Sequence, residues 1–199
     1  QVEDRDAGNG HRRREASRGV PSVDGNAPFL RSMPTPEAAV RLQDEYFMRR
    51  ALAEAASAAA RGDVPVGALV VTGERLVSTG SNRKENDPTA HAEILAMRCA
   101  AVSLETWNLG GCTLYVTVEP CPMCAGAIVL ARISRLVFGC FDPRAGACGT
   151  LYDIVRDGRL NHRCAVRSGV LEGECAAMMT EYFRNRRAVR RKIAVNERS

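Results

Sequence analysis

The order of patterns along this chain predicts an α/β fold, with a mixed or largely parallel sheet and helices on both faces. Three observations lead there. Short runs with strand-like alternation take turns with longer runs of helical spacing. The 199 residues are 45% hydrophobic, enough for one sizeable core. The two stretches richest in chemistry, Asp87 to Glu93 and Glu119 to Cys124, each sit where a loop or strand gives way to a helix.

The elements follow in order. Residues 1–36 mix Asp, Arg, Gly, Asn, Ser and Pro with few apolar side chains and no period, which reads as a disordered extension. Thr35-Pro36-Glu37 then supplies a hydroxyl cap, a first-turn proline and an acid near the positive end of a helix dipole. Phe47, Met48, Ala51, Leu52, Ala55 and Ala56 fit one face of that helix, and Arg61-Gly62 ends it. Val64 to Val71 and Arg75 to Thr79 read as strands joined by a turn at Thr72-Gly73-Glu74. Gly80 to Thr89, polar and rich in turn formers, is a loop.

His91 to Leu104 carries Ile94, Leu95, Met97, Ala101 and Leu104 at helical spacing. Leu114, Val116 and Val118 alternate through a strand from Cys112 to Val118, which ends where Pro120-Cys121 opens the next helix. Ser134 to Phe138 reads as a strand, Gly139 to Thr150 as a glycine-rich loop and Cys164 to Ser168 as a last strand. Glu172 to Arg187 closes a domain spanning 37–187, leaving 188–199 as a basic tail.

Composition narrows the class of protein. The longest apolar run, Ala125 to Ala131, is far short of the roughly 18 residues that a membrane helix needs, and no apolar signal region follows the first basic residues. The expectation is a soluble, cytoplasmic protein without a membrane partner, whose eight cysteines are reduced thiols. Lys and Arg outnumber Asp and Glu by 7 to 2 over 181–199, whereas the two signs nearly balance elsewhere. A basic end suits a polyanion, since each neutralised phosphate releases counterions. A solvated helix end accounts for the charge equally well.

The chemistry lies in Asp87-Pro88-Thr89-Ala90-His91-Ala92-Glu93 and Glu119-Pro120-Cys121-Pro122-Met123-Cys124. One imidazole and two thiols make a zinc set with a fourth position open for water. Cys121 and Cys124, three apart on a helix, share a face. Both His91 and Cys121 fall at helix starts, where the dipole favours thiolate and carboxylate. Glu93, two positions past His91, suits a carboxylate beside the metal-bound water rather than a ligand. A lone Cys-x-x-Cys also serves redox pairs and structural zinc knots. The remaining cysteines stand singly, however, and His-x-Glu followed by Pro-Cys-x-x-Cys is the pattern of zinc-dependent nucleobase deaminases.

From about Glu37 to Arg187 the chain resembles the bacterial tRNA-specific adenosine deaminases of the cytidine deaminase-like superfamily. Besides the two motifs, the resemblance is carried by Val64-Pro65-Val66-Gly67-Ala68, Asn82-Arg83, Asp142 to Gly149, Asn161-His162-Arg163 and Glu174-Cys175-Ala176-Ala177. It implies a three-layer α/β/α domain with a central mixed sheet of about five strands, and one Zn2+ per subunit held by His91, Cys121 and Cys124. It implies Glu93 as proton shuttle and Asn82, Ala92, Asp142 and Asn161 as substrate-binding residues. It further implies a homodimer that deaminates the wobble adenosine in a tRNA anticodon stem-loop, that of an arginine tRNA with an ACG anticodon. The aromatic and guanidinium groups of Tyr182 to Arg187 suit a grip on such a loop, and core packing of the two aromatics suits them as well. On the sequence, a free guanine, cytosine or nucleoside deaminase with the same zinc site stays open, as does an RNA-binding module with a structural zinc.

Overall fold

The computed structural model describes residues 34–196. All but the last three residues of the extension read at 1–36, including the run Arg12-Arg13-Arg14, lie outside these. The first element is α1 (Pro36–Ala60), whose buried stripe contains Phe47, Met48, Ala51, Ala55 and Ala58, with Asp44 in the same line. β1 (Gly67–Thr72) and β2 (Arg75–Ser81) make a hairpin with a bulge between Val70 and Val71. The first strand starts later than its apolar pattern suggests. Pro65 has no N–H to give a ladder, and the Val66 N–H turns back onto the Val64 carbonyl at 2.8 Å, so pairing begins only at the Val66 carbonyl, which accepts from the Asn82 N–H at 3.1 Å.

α2 (Ala92–Ser103), β3 (Cys112–Val118), α3 (Pro122–Leu130) and β4 (Arg135–Cys140) follow, then a single 3-10 turn, a short β5 (Ala165–Arg167) and α4 (Glu172–Asn196). The sheet order is β2-β1-β3-β4-β5. β1 is antiparallel to both its neighbours, and β3, β4 and β5 run parallel. Strand alternation splits the core in two. Leu69, Val71, Tyr115 and Val137 pack towards α1 and α4, while Ala68, Val70, Leu114, Val116, Leu136 and Phe138 pack towards α2 and α3. The result is the three-layer α/β/α domain with a mixed five-stranded sheet. Each fully buried Leu, Val or Phe contributes about 1.5–3 kcal/mol by leaving water.

Two features fix the layers to the sheet. α2 lies so close to β2 that a Cβ at Gly80 would overlap the Ala92 carbonyl and the Ala96 nitrogen, which holds the start of α2 against the strand. On the other face, Asp44 of α1 is fully buried and accepts from the Tyr115 hydroxyl at 2.9 Å and from both Arg135 terminal nitrogens at 2.8 and 2.7 Å. Arg167 adds a fourth contact at 2.8 Å. α4 continues nine residues past the predicted end at Arg187. The basic segment up to Asn196 is helix rather than tail, because residues 184–196 contain neither Gly nor Pro and are rich in Arg, Ala and Lys.

Candidate active site

Beyond the carboxyl ends of β3 and β4 the chain turns into the segments that carry the chemistry, where ligands of open α/β sheets commonly lie. His91 is the residue before α2, with φ −74° and ψ 151°, and Cys121 takes the same place before α3, with φ −72° and ψ 171°. Pro122, with no N–H to satisfy, suits the first position of α3. Cys124 follows within that first turn and is buried.

His91 Nδ1 lies 3.7 Å from Cys121 Sγ and 3.5 Å from Cys124 Sγ. Bonds of 2.0–2.3 Å to a tetrahedral zinc separate neighbouring donors by about 3.6 Å, so both sulfurs stand at the spacing from the imidazole that the ion requires, and all three donors lie within 4.8 Å of one another. The protons they hold without it follow from the same contacts. A hydrogen bond from the Cys124 thiol, with another from His91, holds the Cys121 thiol down at about 3. The Cys124 thiol is pushed up, first by that bond to Cys121 and then by burial, and His91 is raised chiefly by its bond to Cys121. A metal ion displaces the protons shared among these donors, which ties its affinity to pH.

Glu93 sits in the first turn of α2 and is 3% exposed. Its Oε2 is buried without a hydrogen-bond partner among the described residues. Burial raises its pKa above the ordinary carboxylate value, partly offset by His91. A buried polar atom without a partner costs about 1–3 kcal/mol, so such an atom beside three metal donors fits a water molecule held by the ion.

The cleft above these residues has a volume of about 660 Å³. Asn82 and Asp142 line it. Asn82 Oδ1 accepts the Ala92 N–H at 2.9 Å, which joins the loop after β2 to the start of α2 and leaves the amide nitrogen as the remaining donor of this buried side chain. Asp142 Oδ1 accepts from the backbone of Arg144 and Ala145, shaping its own turn. Two of the residues expected to bind substrate are not among those lining the cleft. Ala92 is fully buried, with its N–H given to Asn82. Asn161 is beside the start of β4, where its carbonyl accepts from Arg132 at 2.6 Å, and the neighbouring His162 donates to the Ile133 carbonyl at 2.7 Å.

Sequence reasoning reached the rim through Tyr182 to Arg187 but gave no such role to Lys84, Phe141 or Arg144. Lys84, Arg144 and Arg187 line the cleft from three separate segments, with Phe141 and Phe183 between them. The aromatic and basic run on α4 is divided by helical spacing. Phe183 and Arg187 face the cleft, whereas Tyr182 and Arg186 both donate to the Gly62 carbonyl beyond α1.

A three-layer mixed sheet with one imidazole, two thiols and a buried glutamate at the mouths of two helices defines a zinc-dependent deaminase. The chain belongs to the cytidine and deoxycytidylate deaminase family, whose zinc-binding region matches residues 41–140. Relatives give a narrower resemblance. The chain is 47% identical over 147 residues to a tRNA-specific adenosine deaminase of Bacillus subtilis (strain 168), covering 73% of this chain and 91% of that protein. A Haemophilus influenzae protein of the same name is 46% identical over 147 residues, covering 72% and 85%. A structure from a study of A-to-I editing by tRNA:A34 deaminases at the wobble position superposes with a TM-score of 0.65 at 44% identity, over 67% of this chain and 98% of that one. A protein solved with 2,6-diaminopurine is more distant, at 26% identity and a TM-score of 0.60 over 75% and 90%.

Proposed function

We propose that this enzyme hydrolyses the 6-amino group of the wobble adenosine in a tRNA anticodon loop, releasing ammonia and leaving inosine. The observation that carries the reading is the unpartnered, buried Glu93 Oε2 beside the His91, Cys121 and Cys124 donors. Those three residues hold the zinc, and Glu93 is the proton shuttle. Bound there, zinc supplies the Lewis acidity that makes water a nucleophile at neutral pH. Glu93 would take one proton of the attacking water and give it to N1 as the oxygen adds to C6, then carry the remaining hydroxyl proton to the 6-amino group as the C6–N bond breaks and ammonia leaves. Its raised pKa suits a group that must both accept and release a proton. Asn82 offers its amide nitrogen to the base, and Asp142 lies beside the flanking nucleotide.

The rim cations favour a polyanionic substrate over a free base. Lys84, Arg144 and Arg187 surround an open cleft, where phosphates on either side of an extruded base meet positive charge. Loop bases are already unstacked, which lowers the cost of extrusion. The test is conversion of an arginine tRNA transcript with an ACG anticodon by zinc-loaded protein. Inosine confined to the wobble position is expected. Turnover of free guanine or cytosine without the tRNA would favour the small-molecule reading, and RNA binding without deamination a structural zinc. His91→Ala is expected to lose both metal and turnover, and normal zinc content in that variant would overturn the ligand assignment.

A homodimer belongs to the same reading. All nine residues of α3 are non-polar, and its outer side exposes Met123 and Leu130. A helix that is apolar all round normally has neighbours all round. Met123→Glu is expected to shift the protein towards monomer in sedimentation. Among the described residues no helix is long and apolar enough to cross a membrane, and a tRNA substrate suits a cytoplasmic place.

A further inference from the structure

Glu119, between β3 and the Cys121 turn, is 3% exposed and lines the cleft. Its own N–H donates to the Cys140 carbonyl at 2.9 Å, so its backbone is tied to the end of β4. The carboxylate reaches into the segment that follows β4. Oε1 accepts from the Cys148 N–H at 2.9 Å and the Thr150 N–H at 3.0 Å. Oε2 accepts from the Asp142 N–H at 3.1 Å and from the Thr150 hydroxyl. Four donors, three of them backbone, thus converge on one acid, and among the described residues no salt bridge reaches it. Gly146 packs so closely that a Cβ there would overlap the carboxylate. The Ala147 N–H adds a bond of 2.9 Å to the Pro120 carbonyl, next to the metal-binding turn.

We infer that Glu119 is a positioning residue that holds the 142–150 segment as the wall of the cleft and so sets how the enzyme grips the nucleotides flanking its target base. This rests on the reading of the site as an RNA adenosine deaminase. The physical basis is an acceptor-only group among converging donors. Hydrogen bonds to a charged group are the stronger kind, and a loop of this length has many other conformations to choose from. The wall carries Asp142, Pro143, Arg144 and Ala145, all of which line the cleft, while His91, Glu93 and Cys121, assigned to the chemical step, belong to other segments. Loosening Glu119 therefore weakens substrate capture more than the chemical step.

The test uses the zinc-loaded full chain and two variants that disturb the contact from opposite sides. Glu119→Gln turns one oxygen into an N–H donor that faces donors, and Gly146→Ala pushes on the intact carboxylate. Both are expected to raise KM for the anticodon stem-loop about tenfold while kcat stays within about threefold, the pattern of lost binding rather than lost chemistry. Both should retain one zinc per chain, and amide exchange should quicken at 142, 148 and 150 but not in α1 or β1. A fall in kcat with unchanged KM, or loss of zinc in either variant, would overturn the inference. If the wild-type chain does not deaminate RNA, the functional reading fails, while exchange at those three amides still decides whether Glu119 holds the segment.

Discussion

Asp44, against the start of β4, and Glu93, in the cleft beyond the end of β3, are both buried acids with opposite surroundings. Asp44 has a phenol and two guanidinium groups on its two oxygens. Glu93 has an oxygen with no partner among the described residues. A buried acid whose bonds are all made ties structure together, and one left open has been kept for something that arrives later. Glu119 stands between them, satisfied by three backbone N–H groups and one hydroxyl of a single segment.

Substitution at the two acids should separate activity from stability. Glu93→Gln is expected to lower deamination about 10³–10⁴-fold, the usual worth of a positioned proton carrier at the upper end. Zinc content should hold and stability change by no more than about 1 kcal/mol, because no bond is lost at Oε2. Retention of a tenth of the rate would remove Glu93 from the reaction. Asp44→Ala should do the reverse. Leaving two partly buried guanidinium groups unpaired costs about 3–5 kcal/mol, seen as a lower denaturant midpoint, with kcat per folded molecule unchanged.

Alkali probes the satisfied end more gently. Burial and the Asp44 carboxylate both raise the Tyr115 phenol above its ordinary value of 10.0. Burial likewise raises the Cys164 and Cys175 thiols from 9.0 to about 12. In each case the unfolded chain loses its proton first, so the stability these groups lend is whole below pH 9. It is lost as pH climbs through 12, at about 1.4 kcal/mol per unit for each group in its window. Denaturant titrations at pH 8, 10 and 11 measure the slope. Tyr115→Phe should flatten it above pH 10 and cost about 1 kcal/mol at pH 8. A slope that does not change in this variant would mean that the phenol ionises alike in both states.

The sequence made the helix and strand order readable because alternation and helical spacing survive in nearly every element. The three metal donors were readable for a different reason, since their residue types and spacing are constrained by the ion itself. Asp44 escaped notice although it falls on the apolar stripe with Phe47, Met48 and Ala51, where a charge requires a partner. Its partners lie 71, 91 and 123 positions away, and nothing local points to them. Glu119 was in plain view beside Cys121, but its task depends on backbone N–H groups, which every residue except proline carries. The helical end of α4 lacked a pattern because it buries no stripe: residues 183–191 are exposed throughout. Asn161 fell outside the cleft for a topological reason, because its segment leads into the beginning of β5 while the cleft opens beyond the ends of β3 and β4.

The hub at Glu119 also divides the neighbouring segment for anyone who wishes to alter what the enzyme accepts. Gly146, Ala147 and Cys148 are buried against it, so diversity introduced there would push on the anchor itself. Pro143 and Arg144 are exposed at the tip and still line the cleft. A library confined to those two positions samples new shapes and charges at the entrance while the anchor keeps each variant in the same frame, which makes this short arch a natural handle for redirecting selectivity.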